Sequence, residues 1–169
     1  MRYINVTSPD INNGTGCRVT VWVAGCSHKC KGCHNPQTWD YEQGETDIWN
    51  DLLERLSKPY IKGVTFSGGD PLSQSDENLQ ELDNLIDRIK SEFPDKDIWL
   101  FTGDVYEEAI KNPLKSKIIS KCDVIVDGPY LFYLRDTSLA FRGSSNQRII
   151  LINENYPYEI KDAIKKSEI

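Results

Sequence analysis

Residues 22–39 read Trp-Val-Ala-Gly-Cys-Ser-His-Lys-Cys-Lys-Gly-Cys-His-Asn-Pro-Gln-Thr-Trp, so that Cys26, Cys30 and Cys33 fall at C-x3-C-x2-C spacing. Three thiols this close, in a stretch punctuated by Gly25, Gly32 and Pro36, belong to one loop and must share one place in any fold. A metal site is the chemistry that uses such a group. Ligand count then limits the metal, because structural zinc takes four ligands and an iron-sulfur cubane held by protein alone takes four cysteines. No fourth cysteine is near: Cys17 and Cys122 stand alone beside strand-like runs and read as small buried hydrophobes. Two readings stay open on these residues. In one, the thiols hold three irons of a [4Fe-4S] cluster and the fourth iron keeps an open position for a substrate or cofactor. In the other, His28 or His34 closes a Cys3His zinc knuckle.

The setting bears on that choice. Residues 1–7 contain no apolar signal-peptide core, and no run reaches the length of a membrane span, so the expected location is cytoplasmic with no membrane partner. A reducing compartment disfavours disulfides and the cysteine count of five is odd, which moves weight to metal binding. With 20 basic and 26 acidic residues and a net charge of −6, the chain has no basic cluster for a phosphate backbone, and no nucleic acid is expected.

Hydrophobic periodicity supplies the frame. The β-branched run 18–23 predicts a strand leading into the cysteine loop. Ile48, Leu52, Leu53 and Leu56 share a helix face, and residues 63–67 predict a second strand running into Gly68-Gly69-Asp70-Pro71. A longer amphipathic helix carries Leu79, Leu82, Leu85, Ile86, Ile89 and Phe93 up to Pro94. Strands follow at 97–101, 123–127 and 148–152, with a short helix at about 106–111 and a C-terminal helix from about Tyr158. This alternation predicts α/β architecture in a single domain over 1–169: a partial, open (β/α) barrel or mostly parallel curved sheet of about five or six strands, too few for eight-stranded closure.

The cysteine loop, Ser67-Gly68-Gly69-Asp70, Thr102-Gly103 and Asp127-Gly128-Pro129 each follow the carboxyl end of a predicted strand. In a parallel sheet those ends share a rim where ligands bind, so all four motifs are expected at one cavity. Gly68-Gly69-Asp70-Pro71 lacks the tail of a P-loop and is no dinucleotide fingerprint. Its glycines allow close approach of a polar group such as an amino-acid head, with Asp70 available for a cation; a plain strand-to-helix turn is the competing reading. His34 is read as a packing surface for an aromatic ring, His28 as exposed, and Trp39, Trp49 and Trp99 as core. Arg135, Arg142 and Gly143-Ser144-Ser145-Asn146-Gln147 suit either an anion or partner site or a surface turn.

Taken together, C-x3-C-x2-C after one strand and Ser-Gly-Gly-Asp-Pro after another resemble the radical S-adenosylmethionine (radical SAM) superfamily. Within it, Phe-Ser-Gly-Gly-Asp-Pro-Leu, Asp-Ile-Trp-Leu-Phe-Thr-Gly, Val-Asp-Gly-Pro-Tyr and Phe-Arg-Gly-Ser-Ser-Asn-Gln, with the cysteine loop, are similar to the activating proteins of anaerobic (class III) ribonucleoside-triphosphate reductases. The likeness runs from about residue 11 to 147 and leaves 153–169 without an assigned role. It implies Cys26, Cys30 and Cys33 as ligands of a [4Fe-4S] cluster, through which they would act in catalysis, and S-adenosyl-L-methionine chelating the open iron. Gly68 and Gly69, with Asp70 beside them, would receive the methionyl amino group, and Gly32, Cys33 and His34 would lie against adenosine. Gly32 replaces an aromatic residue common in the superfamily, and His34 a tyrosine frequent in the subfamily. The implied reaction is reductive cleavage of S-adenosyl-L-methionine to a 5′-deoxyadenosyl radical, which generates a glycyl radical on the partner reductase, with flavodoxin or ferredoxin as electron donor. The alternatives are another radical SAM enzyme, such as a pyruvate formate-lyase activating enzyme, and a non-catalytic zinc-binding interaction module.

Overall fold

In the computed structural model, which describes residues 1–169, the strand-helix alternation builds the centre of a sheet that its two ends then extend. The elements in chain order are β1 (Tyr3–Asp10), β2 (Cys17–Val23), α1 (Trp49–Leu56), β3 (Ile61–Gly68), α2 (Asp76–Glu92) and β4 (Asp97–Phe101). They are followed by α3 (Tyr106–Ala109), α4 (Pro113–Lys121), β5 (Val124–Asp127), β6 (Arg148–Leu151) and β7 (Ala163–Lys165). The strands lie side by side in sequence order, and the sheet does not close.

Neighbours from β2 to β5 are parallel, as successive helical crossovers require. The helices bury Leu52 and Leu56 of α1, Leu79, Leu82, Ile86 and Ile89 of α2, and Ile118 and Ile119 of α4 against Val19, Val21, Val64, Phe66, Leu100 and Ile125. Each fully buried aliphatic side chain contributes roughly 1.5–3 kcal/mol. Local chemistry starts the helices where they start: Ser75 Oγ accepts from the Asn78 N–H, and the Asn112 side chain accepts from Leu114 and Lys115 ahead of α4, whose first turn holds Pro113.

Three expectations need correcting. The sheet is mixed rather than mostly parallel, because β1 runs antiparallel to β2 and β6 antiparallel to β5. It has seven strands rather than five or six, since β1 and β7 extend its edges. The C-terminal helix expected from Tyr158 is absent; a short strand and a 3-10 turn stand there. Its apolar residues explain why: adjacent Ala163 and Ile164 pack into different clusters on opposite faces, which is the period of a strand.

The face opposite the helices carries Arg18, Thr20 and Trp22 of β2, Thr65 and Ser67 of β3, Trp99 and Phe101 of β4, and Val124 and Val126 of β5, in register. Its amino-terminal half is filled. Trp99 is fully buried with Val124, Ile149 and Tyr156, and Arg18, also fully buried, lies 5.4 Å from the Trp99 ring while pairing with Asp97. Tyr156 completes this plug: its hydroxyl meets Thr15 Oγ1 at 2.7 Å and Asp97 Oδ2 at 3.0 Å, and accepts from Trp99 Nε1 at 2.9 Å. The carboxyl-terminal half, bordered by Trp22, Ser67, Phe101 and Val126, is left as a cavity. No helix is long and apolar enough to cross a membrane.

Candidate functional site

The cavity measures about 390 Å³, within the range of small-molecule sites. Cys26, Cys30 and Cys33 border it, as do His34, Gly68, Gly69 and Asp70, with Thr102-Gly103 and Gly128 from the next two strand ends. The four rim motifs meet as strand polarity requires. Gly32 does not border the cavity; it faces Phe132 instead.

The cysteine loop leaves β2 at Val23 and is pinched shut at its base, where the Gly25 N–H bonds the Thr38 carbonyl at 2.7 Å and the Cys26 N–H bonds that of Trp39 at 3.3 Å. Inside it, the Cys33 N–H reaches the Cys30 carbonyl at 3.1 Å, and the Asn35 N–H donates to Cys33 Sγ at 3.4 Å. Cys26 is buried while Cys30 and Cys33 are half-buried. Burial, and after it the nearby Asp70 carboxylate, push the Cys26 thiol up, against the N–H groups of His28 and Lys29. A cation that takes the place of the proton is what such a thiol requires to become a thiolate.

The turn after β3 is packed directly on this loop. Gly68 takes φ +104°, and a Cβ on Gly69 would stand 2.3 Å from the Gly25 carbonyl oxygen, so packing alone demands both glycines. The Gly69 and Asp70 N–H groups bond the carbonyls of Val23 and Gly25, each at 2.8 Å. Gln74 Nε2 adds bonds to the carbonyls of Ala24, Gly25 and Asp70. Thiol loop and glycine turn are therefore one hydrogen-bonded unit.

Asp70 is 1% exposed, and backbone and hydroxyl donors already occupy both its carboxylate oxygens. Its Oδ1 accepts from Leu72 N–H at 2.8 Å and Ser73 N–H at 3.3 Å; its Oδ2 accepts from Thr102 Oγ1 at 3.1 Å and Gly103 N–H at 2.8 Å. His28 is not exposed as expected. Its Nε2 lies 3.0 Å from Asp70 Oδ2 and 3.3 Å from Asp104 Oδ1, aligned for a linear hydrogen bond with neither, so the contact is one of charge. Asp104, then Asp70, raise the imidazole above its ordinary range against the effect of burial. His28, and after it Lys115 at 2.6 Å, hold Asp104 at about 2.

These contacts bear on which metal the thiols suit. Tetrahedral zinc at about 2.3 Å from each sulfur brings its ligand atoms within about 4 Å of one another. The group of such atoms found within 4.8 Å is His28, Asp70 and Asp104, with no cysteine in it. His28 is committed to the carboxylates, and His34 packs against Tyr130 at 5.0 Å between ring centroids, the aromatic contact expected of it. Thiols spread around a cavity with no histidine closing them fit a cubane, which binds each sulfur to a different iron.

Arg142 borders the cavity and is 7% exposed, but Asp162 pairs with it at 2.9 Å, while Arg135 lies exposed. In the segment between them and β6, Gln147 Oε1 accepts from Gly143 and Ser144, and Gln147 Nε2 reaches the Gly128 carbonyl at 3.0 Å, folding the β5–β6 connection over the rim. Gln74, Asp104, Tyr130 and Trp22 escaped the sequence reading as site residues. Asp104 had a signal in its place just past Thr102-Gly103, Tyr130 in the motif Val-Asp-Gly-Pro-Tyr that it ends, and Trp22 in its place on the strand leading into the cysteine loop.

A family model described as a 4Fe-4S single cluster domain matches residues 12–150. Over 152 residues the chain is 43% identical to the anaerobic ribonucleoside-triphosphate reductase-activating protein of Enterobacteria phage T4, covering 88% of this chain and 93% of that one. The protein of the same name from Haemophilus influenzae is 39% identical over 156 residues, covering 88% and 97%. That of Escherichia coli strain K12 is 40% identical over 154 residues, covering 87% and 96%.

Proposed function

Because the chain belongs to the family of anaerobic ribonucleoside-triphosphate reductase-activating proteins, we propose that it activates such a reductase by radical SAM chemistry. Cys26, Cys30 and Cys33 hold three irons of a [4Fe-4S] cluster and leave the fourth without a protein ligand. The observation that carries this reading is that all three thiols border one cavity together with Gly68 and Gly69, with no fourth cysteine there, while His28 is taken by Asp70 and Asp104 and His34 packs on Tyr130. When bound, cluster and S-adenosyl-L-methionine supply a one-electron cleavage that yields methionine and a 5′-deoxyadenosyl radical, which takes hydrogen from a glycine Cα of the reductase.

The chain's own residues orient and enclose. The turn at Gly68 and Gly69 offers backbone groups to the methionyl amino group at a point fixed against the thiol loop. Asp70 holds that turn in shape with both oxygens rather than binding the amino group itself. Cys33 and His34 form the side assigned to adenosine, where the Tyr130 ring continues the wall, and Gly32 serves as the backbone turn behind them. We read the open sheet as a radical SAM partial barrel whose parallel strands β2 to β5 present the site, with the plug of Trp99, Arg18 and Tyr156 closing one end. The other end stays open, as a substrate that is a loop of another protein needs. The electron donor is assigned to the flavodoxin or ferredoxin class.

The test is anaerobic reconstitution followed by mixing with S-adenosyl-L-methionine, reductant and the reductase. A glycyl radical signal in electron spin resonance, lost in Cys30→Ala, is expected. A signal on pyruvate formate-lyase instead would move the chain to another substrate, and one zinc with no sulfide would end the enzyme reading.

A further inference from the structure

His28 lies midway between Cys26 and Cys30, and its imidazole leaves the loop to enter a slot between two strand ends. Asp70, after β3, forms one wall and Asp104, after β4, the other. Gly103 is the floor: a Cβ there would stand 2.6–2.9 Å from three atoms of the imidazole ring. Apart from His28 itself, the groups that hold the slot walls lie outside residues 27–31. Four donors fix Asp70, and Lys115 holds Asp104 from α4.

The loop has less of its own to hold it. Apart from the bonds at its base, residues 27–31 are tied by Ser27, whose N–H and hydroxyl reach Ser73 Oγ at 3.1 and 2.6 Å, and by the Cys30 carbonyl, which accepts from Cys33, while Lys29 sits in the left-handed region at φ 45°. The geometry points to His28 as the positioning residue of this loop: seated in the slot, it sets the direction in which Cys26 and Cys30 face the cavity and locks both to the Gly68-Gly69 turn. This rests on the reading of those thiols as iron ligands, although the slot belongs to the chain alone. His28 acts through the cysteines and touches no reacting atom.

The slot can be emptied from either side. His28→Ala removes the ring, and Gly103→Ala, at a position with no positive φ, puts a methyl group where the ring sits. In metal-free protein, hydrogen–deuterium exchange of the loop amides that are hydrogen-bonded, Cys26, Ser27 and Cys33, is expected to rise at least ~10-fold in each variant, with β4 unchanged. Gly103→Ala should add nothing in the His28→Ala background, because the ring it displaces has gone. In reconstituted protein both single variants should release iron to a chelator faster by a similar factor. Unchanged exchange in the single variants, additive effects in the double variant, or a rise spread through β4 would each overturn the proposal. Failure of the unmutated chain to take up iron and sulfide would instead sink the cluster reading, and with it any role of His28 toward a cluster, whatever the exchange shows.

Discussion

Phe132 lies against Gly32, where a Cβ would stand 2.7 Å from a ring carbon. Gly32 also takes φ +74°, so the position resists a side chain on two counts. The aromatic residue that many radical SAM proteins carry before the third cysteine is absent from this loop, and an aromatic ring from the β5–β6 connection occupies that flank. Gly32→Ala should cost roughly 1–2 kcal/mol in backbone strain, with the collision added. Iron incorporation after reconstitution is expected to fall, and Phe132→Ala in the same chain should restore only part of it. Full restoration would show that the backbone angle is without consequence.

Asp70 offers a prediction on stability that needs no cofactor. Its two carboxylate oxygens accept from Leu72, Ser73, Thr102 and Gly103, and all four partners are donors. Asp70→Asn turns one acceptor into an NH₂ group facing donors in a buried place. The expected loss is roughly 2–3 kcal/mol, read from denaturant unfolding of the metal-free protein. An asparagine variant as stable as the original would mean that the turn does not depend on this carboxylate.

What the sequence made legible was whatever depends on neighbours along the chain. The cysteine spacing, the glycine turn and the strands before them carry their information within a few residues, and strand polarity alone brings four rim motifs to one cavity. His28 was misread as exposed because its partners are distant in sequence and become visible only when β3 and β4 lie side by side. β1 was missed because Tyr3–Asp10 mixes buried with exposed residues irregularly, and its pairing with β2 shifts register twice. β7 was misread as helix because a three-residue strand gives too short a pattern to reveal its period.

Arg18 tests the floor beneath the cavity. It is fully buried, pairs with Asp97, and donates to Thr65 Oγ1 at 2.8 Å and the Val64 carbonyl at 2.9 Å. Burial pushes the Asp97 carboxyl up while Arg18 pulls it back. Arg18→Met leaves that carboxylate without its counter-charge and should destabilise by roughly 3–5 kcal/mol. Arg18→Met with Asp97→Leu should recover most of the loss in urea unfolding, because neither charge is then stranded. A double variant worse than the single one would assign the loss to packing on Trp99 rather than to charge.

The rim has a second ionic anchor whose contribution carries a pH signature. Arg148 of β6 bonds both oxygens of Glu107 on α3, at 2.9 and 2.7 Å, and also engages Asp127 at the end of β5, with Nε donating to Oδ1 at 3.0 Å. Arg148 is the main reason that Glu107 drops from its ordinary 4.5 to about 2. A carboxylate held below its unfolded value stabilises the fold fully above pH 4.5 and loses that contribution as the pH falls toward about 2. Glu107→Gln should therefore be less stable than the original chain near neutral pH, and the gap should close on acidification through that window. Glu107 is 46% exposed, so salt should narrow the gap at neutral pH as well. Urea unfolding of both chains in low and high salt, at neutral pH and across the acid window, reads both effects. A gap that ignores pH would mean that the glutamine amide serves Arg148 as well as the carboxylate does.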